Sequence, residues 1–216
     1  MTCILNFGRV LGGPSVIDPM EPNKLVPRAI VEPSHPAMEK PGGALYEDDR
    51  FLKNPGILTP QQLEICPRRL RFVDPITEDT LPDIDHWRCG LILSDKAQRI
   101  YASLAKSEPQ FIELDHSKLP EFAAAKKYSY LKVPVELDAV VAEQSEPESG
   151  PMSRKYKYIK YQNFRVTVRQ KDVKGHLLWW NQSRVASVTF FISDDLMDGW
   201  RDGGVGPISY LRCNEI

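Results

Sequence analysis

The second half of the chain carries the clearest alternation of apolar and polar positions. Gly90-Leu91-Ile92-Leu93 is a short continuous apolar run, the pattern of a strand buried on both faces. Ser94 and Asp95 follow as helix-start residues, because a Ser or Asp side chain can accept from the unpaired N–H groups of a first turn. Ala97, Ile100, Tyr101 and Leu104 then recur at helical spacing and predict one buried helix face. Strands are expected at 111–114 and 128–135, the second leading into 136–141. Residues 142–153 are polar and bear prolines, so they read as a loop or linker. Beyond them, 156–161, 164–168, 176–180 and 185–192 are rich in β-branched and aromatic residues and predict further strands. A short helix opens at Ser193-Asp194-Asp195 and runs through Trp200, Gly203-Gly204 breaks it, and 208–211 form a last strand.

The first half is less regular. Residues 3–7 predict a strand. Residues 10–58 hold many Pro and Gly and read as a loop-rich wrap in which 25–31 is one short element. Thr59-Pro60 marks a helix start, with Thr as cap and Pro in the first turn, where its missing N–H has no cost. That helix should cover 61–65 and stop near Pro67, and 68–86 should be extended and loop-like. The fold class that follows is α+β: a mostly antiparallel sheet, a few short helices and a loop-rich, Pro-containing N-terminal arm. The expected division is an N-terminal region, 1–84, packed on an α+β domain, 85–216, the two forming one globular unit.

Composition narrows the function classes. With 216 residues, 42% hydrophobic and 26% charged, the chain can bury a real core. Its formal net charge of −1 gives the whole molecule little attraction for nucleic acid or an anionic membrane. Residues 1–153 carry an acidic excess and 154–216 a basic one. No signal-peptide pattern opens the sequence, and no apolar run approaches the roughly 20 residues of a spanning helix. Cys3, Cys66, Cys89 and Cys213 form no CxxC pair, so free buried thiols and a cytoplasmic location are expected.

The chemistry-bearing residues do not assemble into a recognised catalytic pattern. No GxSxG or SxxK motif occurs. His35, His86, His116 and His176 have neither i,i+4 spacing nor an HExxH context, and neither a metal nor a cofactor is expected. Gly203-Gly204-Val205-Gly206 follows a helix, whereas a phosphate loop opens one, so it reads as a helix stop. The run 154–174 interleaves Arg154, Lys155, Lys157, Lys160, Arg165, Arg169, Lys171 and Lys174 with Tyr156, Tyr158, Tyr161 and Phe164. Such a run can bind single-stranded nucleic acid by phosphate attraction and base stacking. It is equally the pattern of an antiparallel pair whose outward Lys and Arg protect a sheet edge, and the near-neutral net charge favours that reading. Acidic residues cluster near residue 80 and again in the 142–153 linker, and a negative surface there suits a basic partner.

Leu91-Ile92-Leu93-Ser94-Asp95, a helix and Phe111-Ile112-Glu113-Leu114 parallel Phe190-Phe191-Ile192-Ser193-Asp194, a helix and Ile208-Ser209-Tyr210-Leu211. The recurrence has two explanations, a duplicated unit or repeated use of a common helix cap. Together with the segment Tyr128-Ser129-Tyr130-Leu131-Lys132-Val133-Pro134-Val135-Glu136-Leu137-Asp138-Ala139-Val140, these stretches resemble the immunity proteins of bacterial polymorphic-toxin systems, in particular the myxobacterial-type immunity domain. The resemblance covers 85–216. Lys132-Val133-Pro134 departs from the Asn-Val of that family. What the resemblance implies is a non-enzymatic protein that binds a cognate toxin or effector and neutralises it by steric occlusion. It brings no catalytic residues with it. The residues expected to meet that partner are Glu78, Asp79, Asp83, Asp85, Trp87, Glu143, Glu146 and Glu148. An RNA- or DNA-binding module on 154–174 and an enzyme with an unrecognised site are the alternatives.

Overall fold

The computed structural model describes residues 2–5, 15–18, 21–27, 29–32, 56–87, 90–145, 166–181, 190–206, 208 and 210–216. They form strands β1 (Thr2–Leu5), β2 (Ser15–Asp18), β3 (Glu21–Val26), β4 (Ala29–Glu32), β5 (Arg69–Phe72), β6 (Ile84–Trp87), β7 (Gly90–Leu93), β8 (Phe111–Glu113), β9 (Ser129–Lys132), β10 (Glu136–Leu137), β11 (Thr167–Val168), β12 (Leu178–Asn181), β13 (Phe190–Ser193), β14 (Tyr210–Arg212) and β15 (Asn214–Glu215). The helices are α1 (Pro60–Ile65), α2 (Asp95–Leu104), α3 (Glu121–Ala124), α4 (Gln170–Val173) and α5 (Asp194–Asp202), with a 3-10 turn at Ala142–Gln144. The α+β class with largely antiparallel sheets is thus the observed one.

Local chemistry explains the sharper elements. Thr59 caps α1 in a capping box, accepting from the Gln62 N–H while the Gln62 side chain accepts from the Thr59 N–H. Ser94 and Ser193 cap α2 and α5, accepting from Ala97 and Leu196 N–H respectively. Asp95 and Asp194-Asp195 sit in the first turns, where negative charge complements the helix dipole.

The strand pairing repeats itself. One sheet has the order β6-β7-β9-β8, and the other contains β12-β13-β1-β14 with β10 added at its edge. Ile84 pairs with Leu93 as Leu178 pairs with Ile192. One step further, the Ser94 N–H donates to Asp83 O and the Ser193 N–H to Leu177 O. Leu93 pairs with Ser129 as Ile192 pairs with Cys3, and Phe111 pairs with Leu131 as Tyr210 pairs with Leu5. Past the edge strands, the Leu114 N–H donates to Tyr128 O and the Cys213 N–H to Thr2 O. Next, Asp115 bonds Arg68 O and Asn214 bonds Val166 O. The parallel bridges Arg69↔Asp115 and Thr167↔Asn214 fall at the same step. The two Ser-capped helices therefore belong to two copies of one sheet-and-helix arrangement, which chance use of a common cap would not produce.

The second copy is completed from the far end of the chain. The place that β9 holds in the first copy belongs in the second to β1, which lies between β13 and β14. Residues 1–84 are accordingly not an arm laid on a finished domain. Besides β1, they supply the antiparallel pair β4–β5, whose Ala29, Val31, Leu70 and Phe72 share a buried cluster with Ile92, Ile112, Tyr128 and Tyr130. The expected boundary at 84/85 falls at the start of β6.

Alternation along each strand sorts the side chains into three clusters. Leu91 and Leu93 of β7, with Phe190 and Ile192 of β13, join Ala97, Tyr101, Leu131, Leu196, Met197 and Trp200 in a central core between the two copies. Ile92 turns to the outer cluster of the first copy. Phe191 turns to that of the second, with Val168, Trp179 and Cys213, and the Trp179 ring stacks on it at 5.6 Å. At the centre α2 meets α5. The Trp200 Nε1–H donates to the Ala97 carbonyl at 3.0 Å, and Gly199 and Gly203 let Ile100 and Leu104 approach, since a Cβ on Gly203 would lie 2.3 Å from Ile100 Cδ1.

Other expectations fared unevenly. The strand expected at 176–180 starts at Leu178, that at 208–211 starts at Tyr210, and that at 128–135 ends at Lys132. α3, α4 and the short strands β2, β5, β6 and β15 were not anticipated as elements. The strand expected at 185–192 is described only from Phe190, within β13, and the strand expected at 156–161 and Cys89 lie outside the described residues.

Candidate functional site

The two copies meet at two equivalent junctions, and these differ. From the capping serine to the edge strand the copies have the same length, Ser94 to Phe111 and Ser193 to Tyr210. Counting along them matches Lys96 with Asp195 and Ser107 with Gly206, and the hairpin registers match Asp83 with Leu177.

One junction is latched. Asp83, 3% exposed, receives the Gly206 N–H on Oδ2 at 3.1 Å, and its own N–H donates to Gly206 O at 3.2 Å. Lys126 Nζ donates to Oδ1 at 2.9 Å, Lys96 Nζ lies 3.5 Å from Oδ2, and Lys96 also donates to Gly204 O at 2.6 Å. Burial alone would raise the Asp83 carboxyl, but the Lys126 ammonium, the Gly206 N–H and the Ser94 hydroxyl together hold it below the usual carboxylate range. The glycine turn after α5 is thus a helix stop that also docks against the other copy.

The other junction is open. Leu177 stands where Asp83 would be and offers no carboxylate, and a cleft of about 330 Å³ separates the segment after α2 from the turn before β12. Tyr101, Leu104, Leu131 and Leu178 form its apolar lining. The Tyr101 phenol is pushed up to about 12 by burial and stays neutral. Lys106, Lys132 and His176 line it as well, with Glu108 and Asp195 as the opposing charges. Gly175, at φ +86, takes a left-handed conformation that favours glycine, and Lys106 Nζ lies 3.1 Å from where a Cβ on it would stand. Ile57, 74% exposed, and Leu104, 37% exposed, are two of the large apolar side chains open to solvent, and both border this cleft.

The residues expected from sequence do not form one acidic face. Glu78 and Asp79 are exposed in a turn held by Thr77 and Thr80. Asp83 and Asp85 are interior, which corrects their expected place on a partner-facing acidic surface. Asp85, 5% exposed, accepts the Ala29 N–H at 2.6 Å and the His86 N–H at 2.7 Å, tying β4 to β6. The sequence pattern missed this because an Asp at a strand start looks the same whether it caps internal donors or faces water. Trp87 is half-buried, edge-on to Tyr130 at 5.7 Å. Glu143 is exposed in the 3-10 turn, and Glu146 and Glu148 lie outside the described residues.

Cys3 donates to Asp194 Oδ1 at 3.4 Å and its thiol is pushed up to about 12 by burial and that carboxylate, while burial lifts Cys66 to about 11. Both stay protonated and unreactive. Among the described residues no group of three His, Cys, Asp or Glu is placed to hold a metal ion, and no helix is long and apolar enough to cross a membrane. Of the basic run, 154–165 lies outside the described residues, and Arg169 is paired with Asp172 at 2.5 Å.

The open junction, missed by sequence reading, is the candidate site. Its only sequence signal is the Asp83/Leu177 difference, visible once hairpins of unequal length are matched by register. No family model matches the chain, and no curated protein matches it.

Proposed function

We propose that this chain is a binding protein of the immunity type, which sequesters a cognate protein toxin or effector and blocks it sterically. The observation that carries the reading is the open junction. Its apolar lining continues onto the exposed Ile57 and Leu104, and large apolar side chains left in water beside a preformed recess suit a protein partner. The resemblance of residues 85–216 to myxobacterial-type immunity domains supplies the kind of partner. Binding would need no chemistry from the chain: a surface held by two packed sheets covers the partner's groove, and charge complementarity speeds encounter. A cytoplasmic location fits neutralisation inside the cell that makes the toxin.

The test is co-expression with the products of neighbouring genes, followed by pull-down and growth rescue. A neighbour that is toxic alone, is captured by this chain and is silenced by it supports the reading. If none is toxic or captured, the reading fails.

A further inference from the structure

Tyr101, in the last turn of α2, lines the open junction. The residue is 5% exposed and its ring packs edge-on against Phe111 at 6.2 Å, so the side chain is held in one place. Its hydroxyl has no hydrogen-bond partner among the described residues and is left to the water of the cleft. Two other neutral polar side chains of the lining are engaged. Gln110 exchanges bonds with the N–H and carbonyl of Leu58, and the Ser193 hydroxyl caps α5. Tyr101 thus offers the cleft a fixed, neutral group that can both donate and accept.

Three features define what fits there. Leu104, Leu131 and Leu178 are apolar walls and call for an apolar body. Lys106 and Lys132 are matched by Glu108 and Asp195, so a charged group of either sign meets its like as well as its opposite and gives up its hydration on entry. A wholly apolar side chain would fill the walls but seal the Tyr101 hydroxyl from water with nothing to bond, which is unfavourable. An uncharged aromatic ring with a polar end meets all three conditions. A volume of about 330 Å³ gives room for one such ring and the backbone beside it.

We propose that the open junction is the seat of a tyrosine side chain of the partner protein, its ring between the three leucines and its hydroxyl bonded to that of Tyr101. Ile57 and Leu104, open to solvent at the rim, are covered as the ring enters and keep water from the buried bond. The assignment rests on the sequestration reading for the identity of the partner, though not for the chemistry of the seat.

The test uses the full chain, labelled for amide NMR, titrated with acetyl-Gly-Tyr-Gly-amide and with its Phe and Leu counterparts. The Tyr peptide is expected to shift the Ser107 and Leu177 amides saturably. The Phe peptide should bind about tenfold more weakly, because it leaves the Tyr101 hydroxyl dry and unbonded, and the Leu peptide at least as weakly. Tyr101→Phe should fold as the parent does, since the hydroxyl bonds nothing within the described chain, and should bind the Tyr and Phe peptides equally. Absence of localised shifts, equal binding of the Tyr and Phe peptides by the parent, or a preference for Tyr that survives in Tyr101→Phe would overturn the proposal. A captured toxin whose affinity is unchanged by Tyr101→Phe and by Ile57→Glu, at a largely exposed position, overturns the seat and leaves sequestration standing. Saturable, Tyr101-dependent seating of the Tyr peptide with no toxin neutralised supports the seat and removes the sequestration reading.

Discussion

Removing the Asp83 carboxylate should destabilise the whole chain, because that group is a buried polar link between the two copies. Asp83 is 3% exposed and accepts from Lys126 at 2.9 Å and from Gly206 at 3.1 Å. Breaking a fully buried, hydrogen-bonded pair costs about 3–5 kcal/mol. Lys126 is 28% exposed and can turn to water when its partner is lost, so Asp83→Ala should cost about 2–3 kcal/mol. Lys96, 46% exposed, is given no share of that figure. For a chain of this length that corresponds to a fall in Tm of about 4–12 °C. Urea denaturation followed by tryptophan fluorescence reads the change, with Trp200 in the central core as reporter. The pH dependence is a second signature. The folded pKa of Asp83 is lowered, so its contribution is present above the unfolded value of about 3.9 and is lost as pH falls through the lower folded value. Asp83→Asn should flatten that part of the stability curve, leaving a smaller slope from Asp115, which the Ser117 N–H and hydroxyl hold low. Stability of Asp83→Ala within about 0.5 kcal/mol of the parent, with an unchanged acid slope, would refute the latch.

Other consequences are as direct. A Cβ on Gly90 would lie 2.4 Å from the buried Tyr130 ring, so Gly90→Ala should cost about 1–3 kcal/mol, read by urea denaturation, and should perturb Trp87 fluorescence through its contact with that ring. Burial holds His116 below its ordinary pKa, so the unfolded chain takes up a proton first as pH falls past about 6.5. Stability should therefore decline from neutral toward mildly acidic pH, and His116→Gln should remove that decline in a pH series of denaturation curves. Thr59→Ala should cost about 1 kcal/mol by opening the capping box of α1, measurable in the same assay. Deleting residues 2–5 should abolish cooperative thermal unfolding, since β1 lies inside a sheet, and a deletion that melts as the parent does would contradict the topology.

Much of this fold could be read from the chain wherever local chemistry decides. The Thr59-Pro60 start, both Ser caps and the apolar run at β7 act within a few residues, and all appear where expected. The recurrence of the strand-Ser-Asp-helix pattern was also visible, though not its extent. That depends on pairings between distant residues, such as Cys3 with Ile192, and no local pattern encodes those. The site was legible least of all. Asp83 and Asp85 read as surface charge because their donors, Gly206 and Ala29, are far away in sequence. The open junction arises from what the second copy lacks relative to the first.

The place of β1 also orders events during synthesis. Thr2–Leu5 is made well before its two neighbours, β13 and β14. The first copy holds β6, β7, β8 and β9 within one stretch and can pair them as they emerge. The second must wait until β13 and β14 have been made and then capture β1 across the intervening chain, a slow step by its contact order. Until β1 is captured, the edges of β13 and β14 stand unpaired and exposed to other chains.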